Sequence, residues 1–153
     1  MKRRCFSLLV LSLVSLASSA TPLQAAAQLI GLGRLSGTSP ADAYEISSDG
    51  RTVVGTTGPF SQLTPSKWTA ETGWVSLGNL PGATRGYALG VSSDGSVIAG
   101  DSQSSASLSA VRYVGSSGPM NLGLAPNGFM NAAADGISAD GGVIVGRTSD
   151  GVG

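Results

Sequence analysis

The sequence predicts an all-β fold built from tandem four-stranded repeats, on three observations. First, a nine-residue phrase occurs three times, at residues 46–54, 91–99 and 137–145, and each copy is followed by a glycine: Gly55, Gly100 and Gly146. Each copy centres on Asp-Gly near β-branched residues, a strong hairpin signal, because a type I′ turn needs positive φ at both central positions. Second, Leu32-Gly33 recurs as Leu77-Gly78 and Leu122-Gly123, a period of 45 both times. Third, beyond the N-terminal segment no stretch of ten or more residues sets apolar side chains at helical spacing without Gly, Pro or Ser/Thr clusters.

Residues 1–27 predict an export signal. Lys2, Arg3 and Arg4 form a basic head, an apolar run follows from Phe6 to Ala17, and Ala25-Ala26-Ala27 supplies the small residues a signal peptidase reads. Cleavage is expected after Ala27, with Ala20 as the second choice. The apolar run falls short of the roughly 20 residues a spanning helix needs. Cys5 precedes that run, which excludes a lipoprotein signal, and its removal leaves a chain with no cysteine to form disulfides.

The remaining 28–153 segment, about 126 residues, is long enough for a domain with a real core. Three of the nine basic residues leave with the signal and all nine acidic ones stay, so the mature net charge is −3. That balance, without a Lys/Arg cluster, predicts neither nucleic acid nor an anionic membrane as a partner. The chain contains no histidine, which removes the commonest general base and transition-metal ligand.

The repeat units are expected at about 32–76, 77–121 and 122–153. In the second, Leu77-Gly78-Asn79-Leu80-Pro81-Gly82 is an apolar strand end leading into a turn. A strand is expected over 86–92, a reversal at Asp94-Gly95, and a second strand at Val97-Ile98-Ala99. A polar connection over 101–107 leads to a strand over 110–114, and Ser116-Ser117-Gly118 turns the chain toward Met120. Four short strands in about 45 residues describe a propeller blade, so an incomplete β-propeller is the expected architecture, with a β-trefoil as its rival. Trp68 and Tyr113 fall at the same phase, as the large packing residue of their units. From Asp94 to Asp140 the spacing is 46, and the extra residue lies in Ala125-Pro126-Asn127-Gly128, a turn where insertions leave strand register alone. The third copy reaches Gly153 before any counterpart of Lys67-Trp68, which predicts a unit cut short and an open strand edge able to self-associate.

These residues resemble the HAF-repeat family of extracellular bacterial repeat proteins. Leu77-Gly78-Asn79-Leu80-Pro81-Gly82 matches the family's first block in full. Its second block is matched by Ala88-Leu89-Gly90-Val91-Ser92-Ser93-Asp94-Gly95, by Ala134-Asp135-Gly136-Ile137-Ser138-Ala139-Asp140-Gly141, and by residues 43–55 with Glu45 in place of glycine. The third block keeps Ala110 and Arg112 in one copy and Lys67-Trp68 in another, without the family's histidine. The resemblance implies propeller-type modules on exported proteins, with no activity attached to the repeat itself.

Chemistry-bearing patterns are sparse. Gly31-Leu32-Gly33-Arg34-Leu35-Ser36-Gly37 has the wrong spacing for a phosphate-binding loop and no helix pattern behind it. Asp49, Asp94 and Asp140 are the acidic residues repeated in register. Calcium ligation is one reading of them, but one carboxylate per 45 residues falls far below the density of a calcium loop, so they are expected to shape turns. A Ser-Lys dyad at Lys67 has no motif around it. A glycosidase pair would have to come from Asp42, Glu45, Glu71 and Asp101, which share no phase.

The expectation is an exported, non-enzymatic structural or binding module, extracellular, surface-bound or periplasmic. No catalytic, cofactor or metal residue is assigned, and the connections 58–64 and 101–107 are expected to face a ligand of unknown class. The alternative is a secreted carbohydrate-active or other hydrolase on a propeller scaffold, whose four acidic residues should then converge in one pocket.

Overall fold

The computed structural model describes residues 29–35, 40–123 and 129–150. The predicted export signal and the Ala125–Gly128 insertion both lie outside them. The chain divides into two units, Met1–Ile30 and Gly31–Gly153, and every described strand belongs to the second.

Those strands run β1 (Ala41–Ile46), β2 (Val53–Thr57), β3 (Thr64–Thr69), β4 (Gly73–Ser76), β5 (Arg85–Val91), β6 (Val97–Gln103), β7 (Leu108–Val114), β8 (Met120–Asn121), β9 (Asn131–Ile137) and β10 (Ile144–Ser149). They form two four-stranded antiparallel sheets, β1-β2-β3-β4 and β5-β6-β7-β8, and a β9-β10 hairpin. Strand order follows chain order in each, so every unit is a meander. The fold is all-β, as expected, but the described sheets do not close into a propeller ring. Pairing also stays within each unit, whereas a β-trefoil needs hairpins of different units to share one barrel; the trefoil alternative is set aside on that ground.

The sheets stack face to face in chain order. Val54 of the first packs with Ala88, Val91, Ile98, Val111 and Tyr113 of the second, while Leu77 and Leu80 of the connecting segment close the side of this core. The opposite face of the second sheet sets Ala99 and Ala110 against Ala132, Ala134, Ile137 and Ile144 of the hairpin. β6 is therefore buried on both faces along most of its length, Ile98 entering one core and Ala99 the other. This is why Asp101 and Ser102 are buried strand residues and not part of an exposed connection, which spans only 104–107. The 58–64 connection shortens likewise, since Thr64 begins β3.

Each unit has a β-bulge at the same place. Register shifts between Ala43 and Glu45 and between Ala88 and Gly90, and opposite Val145/Gly146 it skips Asp135, leaving Tyr44, Leu89 and Asp135 as the extra residues. The bulge keeps Ala88 and Val91 on one face although they are an odd number of residues apart. Opposite it, the backbone of the first strand leans over the glycine that follows the repeated phrase. A Cβ on Gly55, Gly100 or Gly146 would lie 1.8–1.9 Å from the carbonyl oxygen of Asp42, Tyr87 or Ala133. The glycine is a steric requirement of the bulge.

The type I′ expectation is corrected. Gly50, Gly95 and Gly141 have φ near +72°, but among the described residues no non-glycine residue has positive φ, so Asp49, Asp94 and Asp140 cannot fill an I′ position. Gly50 N instead donates to Ser47 O at 2.8 Å, making Ser48 and Asp49 the central residues of a type I-like turn with glycine at its fourth position. The paired aromatic expectation holds in part. Tyr113 is 1% exposed and donates its hydroxyl to Gly78 O at 3.1 Å, whereas Trp68 is half-buried and stands opposite the buried Trp74 in register. The same phase gives different burial because the first sheet covers Tyr113, and among the described residues no sheet covers the corresponding face of the first.

The steric account makes a direct prediction. Gly100→Ala is expected to lower stability by about 2–4 kcal/mol in urea unfolding, while Gly118→Ala, with open space around its Cβ, stays within about 0.5 kcal/mol. Equal effects would remove the role given to the bulge.

Candidate functional site

The three in-register aspartates sit in one repeated hydrogen-bond relay. Ser47 Oγ donates to Asp49 Oδ1 at 2.6 Å, Arg51 N donates to the same oxygen at 3.0 Å, and Thr52 N donates to Ser47 Oγ at 3.0 Å. Ser92, Asp94, Ser96 N and Val97 N repeat the pattern, with Ser96 Oγ adding a bond at 2.8 Å. Ser138, Asp140, Gly142 N and Val143 N make it a third time. The charged form of each carboxylate is thus the better acceptor. The hydrogen bond from Ser47 holds Asp49 below the usual carboxylate range, that from Ser138 does the same for Asp140, and the bonds from Ser96 and Ser92 bring Asp94 to about 2. Each Oδ1 is committed to its own turn. Neighbouring turns also touch, Asp49 N donating to Ser93 O and Ser93 N to Ala139 O, which joins the three units at one end.

The exposed chemistry lies along the first strands. Phe60, in the short β2–β3 connection, is 78% exposed, and the Arg85 guanidinium stands 4.6 Å from its ring centroid. Arg85 also donates to the Tyr87 hydroxyl at 2.9 Å, and the Tyr87 and Tyr44 rings meet at 6.3 Å with a 49° tilt. Phe60, Arg85, Tyr87 and Tyr44 therefore form one continuous ridge across the first two sheets. Burial raises the Tyr44 hydroxyl pKa, and the charges of Asp42 and Asp101 raise it further. Flat aromatic faces beside a guanidinium and a carboxylate suit ligands that stack and hydrogen-bond at once.

Behind this ridge Asp101 is 4% exposed, and its Oδ1 has no hydrogen-bond partner among the described residues. Burial pushes its carboxyl up to about 6; Arg147 opposes the shift and Asp135 adds to it. Arg147 itself is paired with Asp135. The equivalent position in the first unit holds Thr56, whose hydroxyl donates to Gly86 O at 3.0 Å across the sheet–sheet interface. An ionised carboxylate cannot make that donation.

The four acids considered for a glycosidase pair take separate positions. Asp42 and Asp101 both act on Tyr44, Glu45 accepts from Val91 N at 2.8 Å between the first two sheets, and Glu71 lies exposed in the β3–β4 turn. Lys67 is a half-buried β3 residue opposite Val54 and Val75. Residues 31–35 form no regular element, and Ser36 and Gly37 lie outside the described residues. Among the described residues no three His, Cys, Asp or Glu side chains are grouped to hold a metal ion. Sequence reasoning missed the Phe60–Arg85–Tyr87–Tyr44 ridge, because a loop and two strands from different units assemble it. The signal for Asp101 was present, as the acidic member of the Thr56–Asp101–Arg147 series. No protein-family model, curated protein or solved structure matches the chain.

Because the folded pKa of Asp101 is raised, its stabilising contribution is full below about pH 4 and is lost as pH rises through about 6. Asp101→Thr, which restores the donor of the first interface, is expected to gain about 1–3 kcal/mol at pH 7 and less at pH 5 in urea unfolding. A gain independent of pH would show that the buried charge is not its source.

Proposed function

We propose that this chain is an exported, non-enzymatic β-repeat module of the HAF-repeat type, whose stacked meanders act as propeller blades and whose aromatic ridge engages a surface or extracellular partner. The observation that carries this reading is the ridge itself. The three repeated carboxylates serve their own turns, while Phe60 stays exposed under Arg85 and in line with Tyr87 and Tyr44. Aromatic and arginine side chains are the commonest anchors of protein recognition. The short meanders, stacked in chain order with a polar turn at one end, support the blade assignment.

One observation favours the alternative, a secreted carbohydrate-active or other hydrolase: Asp101 is held near pKa 6, where a general acid works. The same burial that raises its pKa closes it to a substrate. The binding reading is the stronger for that reason.

Two measurements test it. The chain recovered from outside the cytoplasm is expected to begin at Gln28, or at Thr21 for the earlier cut; recovery only from the cytoplasm with Met1 in place ends the export reading. A Phe60→Ala/Arg85→Ala double variant is expected to lose at least about 10-fold in retention of labelled protein on the producing cell's envelope. Undiminished retention would take the ridge out of the proposal.

A further inference from the structure

In the second unit β7 pairs with the outer edge of β6, Tyr113 opposite Ile98 and Val111 opposite Gly100, and places Val111 and Tyr113 in the core with Val54, Leu77 and Leu80. Tyr113 then donates its hydroxyl to Gly78 O. The second interface repeats the receiving parts. Ile144 and Gly146 of β10 are the equivalents of Ile98 and Gly100, and Ile144 packs on the second sheet. Leu122 N donates to Ala110 O at 3.0 Å, as Leu77 N donates to Pro65 O at 2.8 Å, and Gly123 has φ +82° where Gly78 has +79°. The Gly123 carbonyl is thus presented as that of Gly78 is.

Among the described residues no strand pairs with the outer edge of β10. Gly146 and Thr148 are exposed, whereas their equivalents Gly100 and Ser102 are buried, and Leu122 is 42% exposed. Val143 O accepts from Ser138 N on the β9 side, and successive residues of a strand alternate sides, so the backbone groups of Ile144, Gly146 and Thr148 point to the open edge. A groove of about 250 Å³ runs between this edge and Leu122-Gly123. Pockets for drug-sized ligands are larger, about 300–1,000 Å³, and a small groove beside an unpaired edge suits the side chains of a strand.

We propose that this edge receives one extended peptide strand, antiparallel to β10, which carries a tyrosine opposite Ile144 and a small or β-branched residue opposite Gly146. Its main chain bonds to Ile144, Gly146 and Thr148, and its tyrosine covers Leu122 and donates the hydroxyl to Gly123 O. Main-chain pairing supplies the affinity and the groove the selectivity, as strand addition to a sheet edge generally does. The occupant follows from continuity with the first interface, where Val111 and Tyr113 hold these places. The first unit keeps the same pattern on its own β2 edge, with Ser66 opposite Gly55 and Trp68 opposite Val53. The site shares no residue with the Phe60–Arg85–Tyr87–Tyr44 ridge and does not depend on export.

The probe is a capped, fluorescently labelled peptide with the sequence of residues 108–118, titrated with the mature chain by fluorescence anisotropy. Saturation below about 1 mM is expected, and alanine in place of the peptide's tyrosine should weaken binding at least about 10-fold. Backbone direction gives the sharper readout. Because Leu122 N donates to Ala110 O, residues 110 and 112 of the native strand face β8 and residues 111 and 113 face β6. N-methylation of the peptide at the Val111 and Tyr113 positions should abolish binding, while N-methylation at the Ala110 and Arg112 positions should change it by no more than about 2-fold. In the protein, Thr148→Pro removes an edge N–H without touching the β9 pairing and should weaken binding at least about 10-fold. Should that variant unfold, the two methylated peptides decide. No saturation up to about 1 mM, equal loss from the two methylation patterns, or equal binding of a scrambled peptide overturns the proposal. So does self-association of the chain that excludes the peptide, which would give the edge to a second copy. The assay contains no cell envelope, so its failure leaves the ridge reading standing.

Discussion

A sheet four strands wide has two faces, and a unit of about 45 residues has too few apolar side chains to cover either face by folding on itself. Face-to-face burial between successive units is the constraint on which the rest depends. The second sheet lies between the other two and shows the outcome most fully, with β6 sealed on both sides. The outer units expose some residues whose equivalents are core, although Val53 on the far face of the first sheet stays buried. Ile46 against Val91 and Val145 against Val54 are the clearest cases. Exposure here is set by position in the stack and not by residue type.

Stacking at this closeness demands that each meander hold one shape, and two local devices supply it. The serine–aspartate relay satisfies the backbone donors of the first turn without a second residue of positive φ, so the β1–β2 reversal and its counterparts superpose from unit to unit. The bulge a few residues earlier lets both ends of the first strand face the same core. The glycine after the phrase is the bulge's steric complement. Aspartate and glycine, which a catalytic or metal reading would single out, are explained by hydrogen bonding and sterics in the turn and bulge.

The Thr56–Asp101–Arg147 series shows how one repeated position takes on different tasks. A hydroxyl bridges the first interface, a carboxylate is enclosed at the second, and a guanidinium stands on the outer face beside Asp135. The ridge arises in a similar way, from non-equivalent residues of two units brought side by side. Variation on a regular frame concentrates the chemistry of this chain at the first strands, where Asp42, Tyr44, Arg85 and Tyr87 meet.

The sequence by itself determined the unit. A period of 45, an Asp-Gly phrase in three copies and the absence of helical spacing establish short antiparallel strands and where each unit turns, because turn chemistry and strand alternation act over a few residues. It misjudged the turn type, since Asp-Gly alone does not show that a serine two residues earlier takes over the backbone donors. Only the tertiary structure decided that the 101–107 connection begins with a buried strand, that Trp68 and Tyr113 differ in burial, and that Phe60 joins Arg85. Those outcomes depend on which sheet lies against which. Contacts between residues about 45 apart in the chain come from stacking, and no local pattern encodes them.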